Sequence, residues 1–311
     1  MNTVNPIYFN ALQSKNFNKS THPFLRKQKE YFENKRVQKA VNLGKILYNN
    51  PKTPAIKVLK KFTDNVEIEY VNPNEEIDAE LNYTHDKNFK AQNFKIYTSH
   101  SENKKSKGRK MQYALALAHE YTHYLQFSSK NYTEFMKKLC NNDYYYLCKI
   151  TLIGFGIFDE FDDMKFSFTD KVFNFIDKIT EKIYSTPLPR KKSFTKKDIL
   201  KSKNLKSQEE FNKYILDKFD NIFSRTIEII LTEPEASDDN IRSFIQEISK
   251  DEEKLNKFKQ DIKAFCALKA QQEKEAYSVE SKLARNFLNT DRRLNIDSYT
   301  IYYSMLENAF K

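Results

Sequence analysis

Met111-Gln-Tyr-Ala-Leu-Ala-Leu-Ala-His-Glu-Tyr-Thr-His-Tyr-Leu-Gln-Phe127 is the stretch on which the reading of this chain turns. From Tyr113 to Ala118 it is rich in Ala and Leu and almost free of polar groups, which predicts a helix buried on most sides. The run then changes character and offers His119, Glu120 and His123. Two histidines four residues apart lie one helical turn from each other, so both imidazoles leave the same face. A divalent metal held by that pair would rest beside Glu120, a carboxylate placed to act on a water that the ion activates. A buried helix needs a reason to carry such polar groups, and metal binding supplies one.

The composition frames this motif. A chain of 311 residues, 39% hydrophobic and 31% charged, is long enough for one large domain or two modest ones. Only 4 Gly and 8 Pro over that length argue for long helices and few tight turns, so a mostly α fold is expected. The formal net charge is +11, with Lys-rich runs at Lys104–Lys110 and Arg190–Lys192. These allow weak, nonspecific contact with nucleic acid, although acidic residues are interspersed nearly everywhere else. The 3 cysteines, Cys140, Cys148 and Cys266, are odd in number and lack Cys-x-x-Cys spacing. Free thiols in a reducing compartment follow, and with no signal peptide at the N-terminus a cytoplasmic location is expected. The longest apolar run, Ile150 to Phe158, is too short to span a bilayer, so no membrane span is expected.

Outward from the motif, the pattern changes on its two sides. Before it, helices are predicted from Pro23 to Tyr48 and from Pro54 to Phe62. Val66–Val71 and Phe94–Thr98 alternate as half-buried strands, and Ser99–Lys110 reads as a polar, basic loop. After it the chain is nearly all helical, with helices expected near 132–149, 168–185, 207–231, 238–249, 252–288 and 297–310. The Lys- and Ser-rich stretch 186–207 is the best linker, and 131–260 reads as an inserted helical part. Two subdomains are expected: 1–130 with the small sheet and the motif helix, and 131–311, helical, carrying a further metal ligand. Phe94–Thr98, just ahead of the motif helix, is expected to be the sheet edge over a substrate cleft.

Two histidines and a water leave a zinc ion one protein ligand short. All 5 histidines lie at or before position 123, and position 129 is Ser. The third ligand is therefore a carboxylate or Cys266 from a later helix. The strongest candidate region is Ala270-Gln-Gln-Glu-Lys-Glu-Ala-Tyr-Ser-Val-Glu280, inside a long helical pattern.

With these two stretches the chain resembles the zincin metallopeptidases, and within them the gluzincin branch. That branch pairs His-Glu-x-x-His with a later helix reading Glu-x-x-Ala, often Glu-x-Glu-Ala. The resemblance implies a zincin-like α+β fold, mostly α, with a small N-terminal sheet over the motif helix and a large helical C-terminal part. It implies Zn²⁺ held by His119, His123 and Glu273, with Ala276 the small residue that lets two helices approach and Glu275 a neighbour facing elsewhere. It implies Glu120 as general base and a protein or peptide substrate. Position 277 is Tyr where many gluzincins carry Asp to orient a ligand histidine, so another partner such as Glu280 is called for. The oxyanion partner stays open, with His100 and Tyr277 among the choices. A rival Glu-x-Glu-Ala stands at Glu233–Ala236, where Pro234 disfavours helical geometry at Glu233. The alternative from a different class is a basic helical binding protein, with a nucleic acid or protein partner, whose zinc site is structural or vestigial.

Overall fold

The motif stretch lies in α3 (Lys107–Phe127), and the rest of the chain packs around it. A computed structural model describes residues 23–71, 79–98, 107–163, 195–233, 235, 237–289, 294 and 296–311. Ahead of α3 come α1 (Pro23–Asn49), α2 (Ala55–Leu59), β1 (Val66–Tyr70), β2 (Glu80–His85) and β3 (Ala91–Thr98). After it come α4 (Lys130–Leu139), α5 (Tyr144–Asp163), α6 (Lys196–Ser202), α7 (Gln208–Thr232), α8 (Asp239–Ile248), α9 (Glu252–Leu288) and α10 (Asp297–Phe310). The fold is α+β and mostly helical, with one small sheet.

The 37-residue helix α9 is the spine. It starts at Asp251, whose side chain accepts from the backbone N–H groups of Glu253 and Lys254, and it ends at Asn289 in the left-handed region. It packs against α10, α3, α5 and α1. The buried residues on it, including Phe258, Ile262, Phe265, Ala276, Val279 and Leu283, recur at helical spacing. Each large apolar side chain buried this way contributes about 1.5–3 kcal/mol. Close approach needs small residues at the crossings. A Cβ on Gly44 of α1 would run into Leu283 and come within 3.2 Å of the Ala118 Cβ, so α1, α3 and α9 meet at that glycine. Gly154 does the same for α5 against Phe265 of α9, where a Cβ would stand 2.5 Å from the ring. One buried cluster runs from α1 through the sheet and α3 to α9 and α10, so both the 1–130 and 131–311 parts contribute to one core.

The sheet order is β1-β3-β2. β1 runs parallel to β3, with Val66 opposite Phe94 and Ile68 opposite Ile96, and β2 runs antiparallel to β3, with Leu81 opposite Ile96. This corrects two expectations. The strand at Phe94–Thr98 extends back to Ala91 and is the central strand, paired on both sides, so it is not the edge over a cleft. The edges are β1 and β2, and β2, Glu-Leu-Asn-Tyr-Thr-His, lies beside α3, with polar residues that hide its alternation and Leu81 as its one buried side chain.

The helix expected at 132–149 is two helices. α4 ends at Cys140, and Asn141 and Asn142 take φ of 50° and 62°, a left-handed turn that Asn tolerates better than other residues with a Cβ. Asp143 then caps α5 by accepting from the backbone N–H groups of Tyr145 and Tyr146. Helix α3 begins at Lys107, inside the stretch Ser99–Lys110 expected to be a loop. Helices α7 to α10 match the expected spans within a residue or two. The helix expected at 168–185, residues 99–106 with His100, and residues 186–194 of the expected linker lie outside the described residues, while the linker's remainder folds in part as α6, capped by Thr195. No helix among the described residues is long and apolar enough to cross a membrane.

Candidate metal centre

Helix α3 brings His119, Glu120 and His123 into the interior, where they are 8%, 8% and 5% exposed. Helix α9 crosses α3 and presents Glu273 to both imidazoles. The Nε2 of His119 lies 3.4 Å from Glu273 Oε2, and the Nε2 of His123 lies 3.3 Å from Glu273 Oε1. One ligand atom from each of the three residues falls within 4.8 Å of the others. Cys266, the other third-ligand choice, is fully buried, with its thiol pushed up by burial, and is not in this group.

The far side of each imidazole is taken. His119 Nδ1 meets Glu280 Oε1 at 2.5 Å, one α9 pair that orients the ring from behind. His123 Nδ1 meets Gln126 Oε1 at 3.0 Å, and Gln126 Nε2 donates to the backbone oxygen of Gln272 at 3.1 Å. The second contact decides the first. A carbonyl oxygen only accepts, so the Gln126 amide must turn its NH₂ to Gln272 and its oxygen to His123. His123 Nδ1 must then carry the hydrogen, which leaves its Nε2 facing the Glu273 carboxylate. Tyr277 meets the His119 ring edge-on at a centroid distance of 4.7 Å and is itself stacked on Tyr299. The position where many gluzincins carry Asp thus packs against the ring, and Glu280 supplies the hydrogen bond.

The donor set fits a divalent ion. Acceptors converge from two helices, and without a cation between them they repel unless a proton takes its place. The electrostatics say the same. Burial would lower the His119 pKa, but the carboxylates of Glu280, Glu273 and Glu120 together hold it well above its ordinary value. Burial would raise Glu273, yet His123, His119 and Lys269 hold it well below the usual carboxylate range. Such a cluster is built around positive charge, which a proton or a divalent ion can supply. Two imidazoles and a carboxylate are a donor set that a divalent transition metal accepts.

Glu120 leaves α3 on the sheet side. The Leu81 N–H is not spent on β3 and donates to Glu120 Oε2 at 2.9 Å. Burial pushes the Glu120 carboxyl up, with His119 and His123 offsetting only part of that rise. A buried carboxylate beside such a site is placed to take and return a proton. The structure places the rival carboxylates elsewhere. Glu233 and Glu235 are exposed beyond the end of α7, and Glu275 points away to Arg36, which donates two hydrogen bonds of 3.1 and 3.0 Å. Sequence reasoning missed Gln126 and Lys269 as parts of the site. The signal for Gln126 was its place one turn beyond His123, and for Lys269 its place one turn before Glu273.

No family model, no curated protein and no solved structure matches this chain.

Proposed function

We propose that this chain is a zinc-dependent metallopeptidase with a zincin-like arrangement. The observation that carries the reading is the convergence of His119, His123 and Glu273 from two packed helices, with Glu120 buried beside them. His119, His123 and Glu273 would hold the ion, oriented by Glu280 and Gln126. A zinc ion there supplies Lewis-acid polarisation of a substrate carbonyl and lowers the pKa of a water towards ~7.

The remaining work belongs to the chain. Glu120 takes the proton from the attacking water and hands it to the leaving amine. Its Oε2 is held by Leu81, so it approaches from the sheet side rather than joining the ligands. The edge of β2 lies beside it and, among the described residues, has no strand on its outer side. An extended peptide laid along that edge would bring its carbonyls past Glu120. The order of parallel β1, antiparallel edge β2, central β3 and then the motif helix supports the same reading.

Glu120→Gln tests it. The variant should keep near-stoichiometric zinc by metal analysis and keep its fold, while cleavage of a peptide library drops by orders of magnitude. Unchanged turnover would sink the mechanism.

A further inference from the structure

We infer that Lys269 is a carboxylate-binding subsite beside the metal centre. The substrate would then carry an anionic group, an Asp or Glu side chain or a free C-terminal carboxylate, next to the bond that is cut. The inference rests on the metallopeptidase reading above and names its substrate class.

Lys269 is 8% exposed and sits on α9, one turn before Glu273. Its Nζ lies 4.8 Å from the centre of the Phe155 ring and 5.4 Å from that of Phe127. Those faces tolerate a cation but accept no ordinary hydrogen bond. Its nearest carboxylate oxygen is Glu273 Oε1 at 3.8 Å, beyond hydrogen-bond reach. The buried His, Asp and Glu side chains among the described residues are bonded. Glu120 accepts from Leu81, His119 meets Glu280, and His123 meets Gln126. Asp297 is bonded to Arg285 and Glu307 to Lys274. Lys269 pairs with Glu273 only at 3.8 Å, longer than a hydrogen bond, so its N–H donors are open to a ligand group.

Neutralising Glu273 does not account for it. Glu273 already faces the Nε2 atoms of His119 and His123, and an ion bound there would draw off its charge. The ammonium would then face a second cation, while the Glu120 and Glu280 carboxylates are held by Leu81 and His119 and not by Lys269. An anionic ligand group would accept the open N–H donors. The 3.8 Å gap to Glu273 sets the scale. A residue in an extended peptide spans about 3.3–3.6 Å, so the group held by Lys269 lies within about one residue of the reacting carbonyl.

The experiment uses the zinc-loaded full-length protein and two probes of one shape, a short hydroxamate ending in a carboxylate and its carboxamide twin. Calorimetry should show the carboxylate probe bound at least about tenfold tighter, the scale of one charge-assisted hydrogen bond. In Lys269→Met, which preserves packing against Phe127 and Phe155, the preference should collapse to near unity. Zinc content and carboxamide affinity should stay the same. Lys269→Arg should retain the preference. Equal affinities in the parent protein, or a preference that survives in Lys269→Met, would overturn the subsite. Failure of the parent to hold zinc would sink the metal centre itself, and the subsite with it. Peptides with free or amidated C-termini, with and without an internal Asp or Glu, then assign the source of the carboxylate. Indifference to all of them would again overturn the proposal.

Discussion

Glu-x-Glu-Ala occurs twice in this chain, at Glu233–Ala236 and at Glu273–Ala276, and the two copies have opposite fates. In the first, Glu233 caps the C-terminal end of α7 with extended backbone (φ −106°, ψ 106°), as the residue before a proline prefers, and both glutamates are exposed. In the second, the same residues lie in an uninterrupted helix buried between α1, α3 and α10. There Glu273 is turned to the imidazoles and Glu275 to Arg36, while Ala276 is fully buried. The local pattern is therefore not what makes a ligand. A rigid, packed helix that aims the carboxylate does so.

The strongest way to break this contrast is to exchange carboxylates for methyl groups. Glu273→Ala should purify largely without zinc, while Glu233→Ala, Glu235→Ala and Glu275→Ala retain it by metal analysis. A zinc-free Glu233 or Glu275 variant beside a zinc-replete Glu273 variant would reverse the assignment.

Next come the groups behind the histidines, which only the buried copy has. Glu280→Gln and Gln126→Leu should each weaken zinc affinity by about 10–100-fold without abolishing it, measured by competition with a chelator. The cobalt-substituted protein should show a shifted visible spectrum in both, because ring orientation changes while the ligand set does not. Identical spectra and affinities would mean that these contacts do not hold the rings.

Glu275 separates packing from ligation. Arg36→Met leaves its largely buried carboxylate without a partner and should cost roughly 2 kcal/mol in denaturant unfolding, less than for a fully buried pair because Arg36 keeps some solvent. Changing Glu275 to Met as well should recover much of the loss, and metal content should not move in either case. Glu235, exposed, should show no such cycle.

The smallest effect sharpens the same lesson away from the metal. Burial lowers the His85 pKa to about 4, with Nε2 facing the Tyr132 hydroxyl at 3.0 Å. Below about 6.5 the unfolded chain takes up a proton that the folded one refuses until about 4. Stability from this group is therefore complete above that window and falls as the pH drops through it, on the order of 1 kcal/mol after solvent screening. His85→Gln, which can still hydrogen-bond to Tyr132, should flatten that part of the profile in thermal melts at stepped pH.

The sequence by itself determined what is local. The apolar run before His119, the four-residue histidine spacing and the long pattern of α9 all rest on helical periodicity, which needs no partner to be read. The four C-terminal helices were placed to within a residue or two by the same periodicity, and the structure caps three of them with Ser207, Asp238 and Asp251. What it did not disclose is what depends on neighbours distant in the chain. The strand β2 is polar enough to hide its period, and its place at the edge follows from pairing with β3, not from its residues. The left-handed turn at Asn141 and Asn142 splits one periodic stretch into two helices at two residues. Glu280 was legible as a candidate partner for a histidine, whereas the choice of Gln126 as the other, the pairing of Glu275 with Arg36 and the seat of Lys269 between two rings were decided only by tertiary structure. Each depends on the angle and register at which α9 crosses α3 and α1, set by close approaches such as Gly44 against Leu283, and a one-dimensional pattern carries no record of that crossing.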